Sequence, residues 1–244
     1  MQTLALNWQA PAKVIAFSTT RNGGVSKTPF NSLNLAFHVE DNPQDVIENR
    51  ALLTKRLPKP AFWLSQVHSN KVIVVDAKSE PDLLIEADAL YTRQTNTPLA
   101  IMTADCLPVF ICSEFGDEVA VVHAGWRGLL NGVIGNTLAC FKATNLIAHF
   151  GAAIGPTAFE VGKEVRDAFC DKHKEANSCF KPILNQPNKF LADIYQLARL
   201  VLAKNNVIKV TGGEYCTVNQ EDLFFSYRRD GKTGRNAHII YIEQ

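Results

Sequence analysis

The sequence lacks any apolar run close to the roughly 18 residues needed to span a bilayer. Its opening, MQTLALNWQAPAKVIAFSTT, has no charge before Lys13, so it lacks the basic start of a secretory leader. None of its six cysteines (Cys106, Cys112, Cys140, Cys170, Cys179 and Cys216) forms a Cys-x-x-Cys pair. The chain is too large to need disulfide staples, and mostly free thiols in a reducing cytoplasm are expected. Charge of one sign is also missing: 25 basic against 24 acidic residues leave a formal +1. No electrostatic footprint for nucleic acid or an anionic membrane follows. Repeats, low-complexity tracts and long linkers are absent too. The expectation is a soluble cytoplasmic protein with a small-molecule substrate and no nucleic-acid or membrane partner. Oligomeric state is not legible.

What is present is ample core. The 244 residues are 46% hydrophobic, enough for a single domain over 1–244. KVIAFSTT (13–20) reads as a strand, followed by a turn at RNGGVS. Residues 41–57 read as a helix opened by Pro43, with Val46, Arg50, Leu53 and Leu57 on one face. AFWLSQVHSNKVIVVD (61–76) reads as two strands flanking VHSN. TPLAIMTADCLPVFIC (97–112) reads as two buried strands broken at ADCLP. EVAVVHAGWRG is a strand and turn, and residues 129–141 form a helix. A strand and glycine-rich turn (146–156), helices over 160–172 and 190–206, and strands at 207–213 and the C-terminus complete the chain. Strict βαβ alternation is not sustained, so the fold class is α+β, one layered domain with a mixed sheet.

Three segments share a design. SQVHSN, TADCLP and VVHAGWRG each set a metal-competent side chain, His68, Cys106 and His123, at a strand end beside turn-forming residues. Pooled at one sheet edge, His, Cys and His suit Zn²⁺ with one open position, the arrangement of a catalytic rather than a structural zinc. The gaps of 38 and 17 residues match no local zinc loop. Taken alone, His123 reads more readily as a core or surface histidine than as a ligand, and Cys106 in its apolar neighbourhood more readily as an inert thiol.

These motifs, with RNGGVS, NSLNLAFHVEDNPQDVIENR, EADAL, AAIGP and FFSYRRDGKTGR, run in order through almost the whole chain. Together they resemble the YfiH-type family, also described as multicopper polyphenol oxidases or laccase-like proteins, to which human FAMIN belongs. The resemblance implies a fold similar to the catalytic domain of cytotoxic necrotizing toxins. It also implies zinc held by His68, Cys106 and His123, the three residues expected to carry catalysis. Ser69 departs from the family, which usually has glycine there. Copper is the less favoured metal. A laccase needs a trinuclear cluster fed by many histidines, and only His38, His149, His173 and His238 remain outside the triad.

The resemblance implies phosphorolysis of adenosine, inosine, guanosine and methylthioadenosine, and deamination of adenosine. Phosphate needs a cationic seat, for which Arg21, Arg228 and Arg229 are candidates, each equally readable as a solvated loop charge. Gln66 shares a face with His68 if the strand continues, and is a candidate substrate contact. Asp105 is a candidate acid/base or ligand-orienting residue; if the segment is extended, it faces away from Cys106, which suits a supporting role. GAAIGP is a turn near the site or a plain loop. Three other readings use the same residues: a Cys106–His123 hydrolase, a peptidoglycan-editing amidase and a copper-dependent polyphenol oxidase. A non-catalytic binding module is a fourth.

Overall fold

The computed structural model describes residues 1–81 and 85–244. In chain order the strands are β1 (Thr3–Ala5), β2 (Val14–Thr19), β3 (Val72–Val75), β4 (Ala89–Thr92), β5 (Leu99–Thr103), β6 (Leu107–Ser113), β7 (Val119–Ala124), β8 (Leu146–Phe150), β9 (Glu160–Gly162), β10 (Phe180–Ile183), β11 (Gln186–Ala192), β12 (Lys209–Gly212) and β13 (Asn236–Ile242). The helices are α1 (Pro43–Thr54), α2 (Trp126–Asn131), α3 (Val133–Leu138), α4 (Lys163–Lys172), α5 (Ile194–Lys204) and α6 (Tyr227–Asp230). None is long and apolar enough to cross a membrane.

The strands form two principal sheets where the sequence suggests one. An antiparallel sheet has the order β1-β2-β13-β5. A mixed sheet has the order β12-β8-β6-β7-β4-β3, with parallel pairs at both edges. A small third sheet is β10-β11-β9. Both principal sheets are apolar on both faces, which is why their strands read as near-continuous hydrophobic runs. In β6, Phe110 and Cys112 point into the core that also takes Leu99 and Ile101 of β5 and Ile240 and Ile242 of β13. Val109 and Ile111 point the other way, toward the helices α2 to α5. On the outer side of the antiparallel sheet, Ala100 and Met102 of β5 meet Leu53 of α1 and Trp63. Period-two alternation thus sets the layer order: α1, antiparallel sheet, mixed sheet, then the remaining long helices. Phe110 is fully buried at this junction, and such burial stabilises the fold by about 2–3 kcal/mol.

Several element boundaries differ from the sequence reading. α1 starts where Asn42 accepts a hydrogen bond from the Gln44 backbone and Pro43 occupies the first turn. The helix expected over 129–141 is two, α2 and α3, broken at Gly132 with φ 94°. Residues 160–162 and 190–192 belong to strands β9 and β11 before their helices begin. Residues 61–67 make only isolated bridges, Phe62 to Leu99 and Ser65 to Glu86, rather than a full strand.

Candidate metal centre

β5 belongs to the antiparallel sheet and β6 to the mixed one, so the chain crosses between sheets over residues 104–106. Cys106 lies on that crossing. The preceding Asp105 takes φ 103°, a conformation costly for a residue with a Cβ. Its carboxylate accepts from Thr217 Oγ1 (2.6 Å), Ser226 Oγ (2.7 Å) and the Arg228 backbone N–H (2.6 Å). Its carbonyl accepts from the Ile154 backbone at 2.9 Å. These bonds clamp the crossing to GAAIGP and to the segment before α6, and present the Cys106 thiol to the cleft.

His123 lies in β7 opposite Pro108 of β6, with its ring buried. Its Nδ1 stands 2.7 Å from the carboxylate of Asp88, which is fully buried. An ionised carboxylate only accepts, so Nδ1 carries the proton and Nε2 is left for the cleft. The same carboxylate accepts from the backbone N–H of His68 (3.0 Å) and Ser69 (2.6 Å) and from Ser69 Oγ (2.7 Å). It therefore holds the turn in which His68 sits at φ 59°. Burial opposes ionisation of Asp88, but the bonds from His123 and Ser69 outweigh it and keep its pKa below the ordinary value. The Ser69 side chain thus adds a donor to this anchor.

Cys106 Sγ is 3.7 Å from His68 Nε2. One donor atom each from His68, Cys106 and His123 lies within 4.8 Å of the others. Around a tetrahedral zinc, N and S donors stand about 3.3–3.6 Å apart, so a small inward shift completes the set. Space for an ion is kept at Gly125, whose backbone (φ −60°) any residue could adopt. A Cβ there would meet Cys106 Sγ and His68 Cδ2, both at 3.0 Å. Gly128 likewise lets α2 approach the Ser69 carbonyl, 2.9 Å from where its Cβ would be. The glycines of HAGWRG thus serve close approach. The donors, their open face and the carboxylate behind His123 fit a catalytic zinc. Without metal, burial would keep Cys106 protonated and His123 neutral. Their mutual attraction wins, helped by His68 on the thiol and Asp88 on the imidazole. The thiol is lowered to about 6 and the imidazole raised to about 9.

Two cavities adjoin the triad, one touching all three residues and the other His68 and Cys106. One of about 440 Å³ is lined by His38, Gln66, Met102, Thr103, Tyr227 and Arg235, with all three triad residues. The other, about 280 Å³, is lined by Trp126, Arg127, Ile154, Phe159, Ile194 and Arg228, and shares His68, Ala104, Cys106 and Tyr227 with the first. The substrate candidates divide. Gln66 lines the first cavity, but its amide is taken by β5, donating to the Met102 carbonyl (2.8 Å) and accepting from the Met102 N–H (2.7 Å). Arg228 lines the second while donating to the carbonyls of Ala158 and Glu160. Arg229 donates to the carbonyls of Thr217, Val218 and Phe224 and pairs with Asp230, which ties α6 to the preceding loop. Arg21 stacks on Phe225, donates to the carbonyls of Asn31 and Glu221, and lines a separate cavity that contains none of the triad. Arg21 and Arg229 thus lie away from the triad, on a cavity they share, with their donors on carbonyls. Sequence reasoning missed Asp88 and Arg235. Asp88 did leave a signal, a lone acid in the buried run Ala87–Thr92. Arg235 left none, one charge among several in a polar loop.

A family model described as multi-copper polyphenol oxidoreductase laccase matches residues 15–243. The chain is 48% identical over 242 residues to a purine nucleoside phosphorylase of Pseudomonas aeruginosa, covering 98% of each. It is 48% identical to the purine nucleoside phosphorylase YfiH of Escherichia coli, covering 96% of each. Among solved structures, a Neisseria meningitidis protein superposes with TM-score 0.95 at 46% identity over 100% of both chains. YlmD of Geobacillus stearothermophilus superposes with TM-score 0.87 at 32% identity, over 96% of this chain and 93% of that one. A family match over nearly the whole chain, with full-length relatives at this identity, means that the protein belongs to the multi-copper polyphenol oxidoreductase laccase family, the YfiH type.

Proposed function

We propose that this chain is a zinc-dependent purine nucleoside phosphorylase, one catalytic domain over 1–244. Its substrates are adenosine, inosine, guanosine and methylthioadenosine, and adenosine deamination is a second activity. The observation that carries the reading is the three-donor cluster opening on two adjoining cavities, in a chain whose full-length relatives bear that name. His68, Cys106 and His123 hold the metal. When bound, zinc supplies a Lewis acid and lowers the pKa of a coordinated water to about 7. Asp88 fixes the His123 tautomer and the His68 turn, so the donor set is formed before the metal arrives. The reaction balances without redox chemistry. The C1′–N9 bond breaks with its electron pair going to the purine, a phosphate oxygen bonds to C1′, and the hydrogenphosphate proton ends on the purine nitrogen.

The test is inosine and adenosine with and without inorganic phosphate, using protein with a full equivalent of zinc and its Cys106→Ser variant. Hypoxanthine or adenine released only with phosphate, and lost in the variant, is the expected result. Inosine formed from adenosine in either buffer reports deamination. No product in either buffer overturns the nucleoside reading and turns attention to a cell-wall precursor amide.

The thiolate–imidazolium polarity of the metal-free pair favours one second reading, a Cys106–His123 hydrolase. It requires activity that survives a chelator and is destroyed by alkylation of Cys106.

A further inference from the structure

We infer that the cleft is bipartite: Arg235 seats inorganic phosphate in the larger cavity, Trp126 and Phe159 seat the purine in the smaller, and the ribose spans the junction beside Tyr227. This rests on the phosphorolytic reading above.

Displacement at C1′ needs the incoming oxygen and the departing nitrogen on opposite sides of the sugar. Two subsites must therefore flank one reacting centre. The two cavities meet at His68, Ala104, Cys106 and Tyr227 and diverge from there. Their chemistry differs. Trp126, Ile154, Phe159 and Ile194 give the smaller one apolar and aromatic walls, which suit a flat heterocycle. The larger holds Arg235.

Arg235 differs from the other arginines near the cleft. Its Nη1 donates to the carbonyls of Thr233 and Gly234. Among the described residues, no carboxylate lies within ion-pair distance of it. Among the described residues its Nε and Nη2 have no protein acceptor, and these two N–H groups form the parallel edge that grips two oxygens of a phosphate. The side chain is half-buried and stands over Tyr227, with 5.9 Å from guanidinium carbon to ring centre. A half-buried, unpaired cation attracts a dianion more strongly than a solvated one. Arg228 and Arg229 have their guanidinium donors on carbonyls. Arg127 is the rival: it lines the smaller cavity, but it is exposed, with its guanidinium carbon 4.3 Å from the Trp126 ring centre, where water screens its charge.

The experiment measures both Michaelis constants, and binding of inorganic phosphate by calorimetry without nucleoside, for zinc-loaded wild type and four variants. Arg235→Gln is expected to raise KM for phosphate and weaken phosphate binding by about tenfold to a hundredfold, the worth of a charge-assisted bond. Its KM for nucleoside is expected to stay unchanged. Arg235→Lys, which keeps the charge without the fork, recovers part of the loss and decides the matter if the glutamine variant melts early. Trp126→Leu is expected to raise KM for nucleoside alone. Phosphate binding that survives both Arg235 substitutions, or falls instead in Arg127→Gln, overturns the assignment. Phosphate binding that depends on Arg235 in a protein releasing no base upholds the anion seat and overturns only the phosphorolytic reading.

Discussion

Asp88 and His123 stand 2.7 Å apart, carboxylate oxygen to Nδ1, both shut away from water. Asp88 precedes β4 and His123 nearly ends β7, and the two strands pair so that the His123 backbone N–H also reaches the Asp88 carbonyl at 2.7 Å. The pair is locked by the sheet ladder as well as by its side chains. Through Ser69 and the His68 backbone the same carboxylate controls a second donor of the cluster. One acid thus orients two of the three candidate ligands.

Replacing that acid tests the arrangement. Asp88→Asn keeps the volume but removes the charge that holds the Nδ1 proton, and an amide cannot accept from His123 and Ser69 equally. Zinc affinity is expected to fall about tenfold to a hundredfold, the usual cost of losing a carboxylate behind a ligating histidine. Competition with a chromophoric chelator measures it. Unchanged affinity in a folded variant would remove Asp88 from the metal centre.

Gly125 and Gly128 predict opposite phenotypes. In Gly125→Ala the added methyl meets the Cys106 sulfur and the His68 ring, and His68 is an exposed side chain that can swing away. Metal binding is expected to weaken sharply while the metal-free melting temperature stays near wild type. In Gly128→Ala the methyl meets the Ser69 backbone carbonyl, which cannot move without the turn. That variant is expected to lose about 1–3 kcal/mol of stability, the range for overpacking. Urea melts of the two metal-free variants separate these outcomes.

The sequence made the layers legible where burial is two-sided: the runs at β5, β6 and β7 admit little else, and the break at Ala104–Cys106 is where the chain changes sheets. His68, Cys106 and His123 stood out because each interrupts a β-forming stretch with a side chain that has ligand chemistry. The turn at His68 was not legible. Its left-handed backbone depends on Asp88, 20 residues on, and the segment before it pairs only at isolated bridges. Nor was the role of the C-terminal arginines. Whether an arginine pairs with a carboxylate, as Arg229 does with Asp230, or has none within ion-pair distance among the described residues, as for Arg235, depends on how the loop folds back on itself. The clamp from Asp105 to Arg228 spans 123 residues, and no local pattern encodes it.

Cys106 is expected to be the fastest-reacting thiol of the metal-free protein. Burial disfavours its thiolate, but His123 and His68 outweigh that and bring its pKa to about 6, whereas burial lifts Cys112 to about 12. Carboxymethylation followed by mass spectrometry should show Cys106 labelling with a half-maximal rate near pH 6, since the thiolate is the nucleophile. A stoichiometric equivalent of zinc should suppress it. Labelling that first rises above pH 8, or that zinc leaves untouched, would contradict the cluster's geometry.

The buried histidines outside the cluster, His149 and His238, make the fold less stable in acid. His238 of β13 links its two neighbours in the antiparallel sheet, with Nδ1 at 2.8 Å from Ser18 Oγ of β2 and Nε2 at 2.8 Å from Thr103 Oγ1 of β5. Burial, aided by the nearby His123, lowers its pKa from 6.5 to about 3. His149, beside Thr211 at 2.8 Å, is lowered to about 4, again chiefly by burial. An unfolded chain binds these protons near pH 6.5 and the folded one does not, so acid favours unfolding. Their contribution is intact above pH 6.5 and is lost as pH falls toward 4 for His149 and 3 for His238. Each histidine should steepen the decline by about 1.4 kcal/mol per pH unit in its window. His238→Gln keeps one hydrogen bond to the hydroxyls and cannot titrate. Between pH 7 and pH 5 its unfolding free energy should therefore fall by about 2 kcal/mol less than that of wild type. Urea melts of both proteins in the same metal state read the difference directly. Parallel declines would mean that His238 takes up its proton in the folded chain, which two hydroxyl partners and complete burial should forbid.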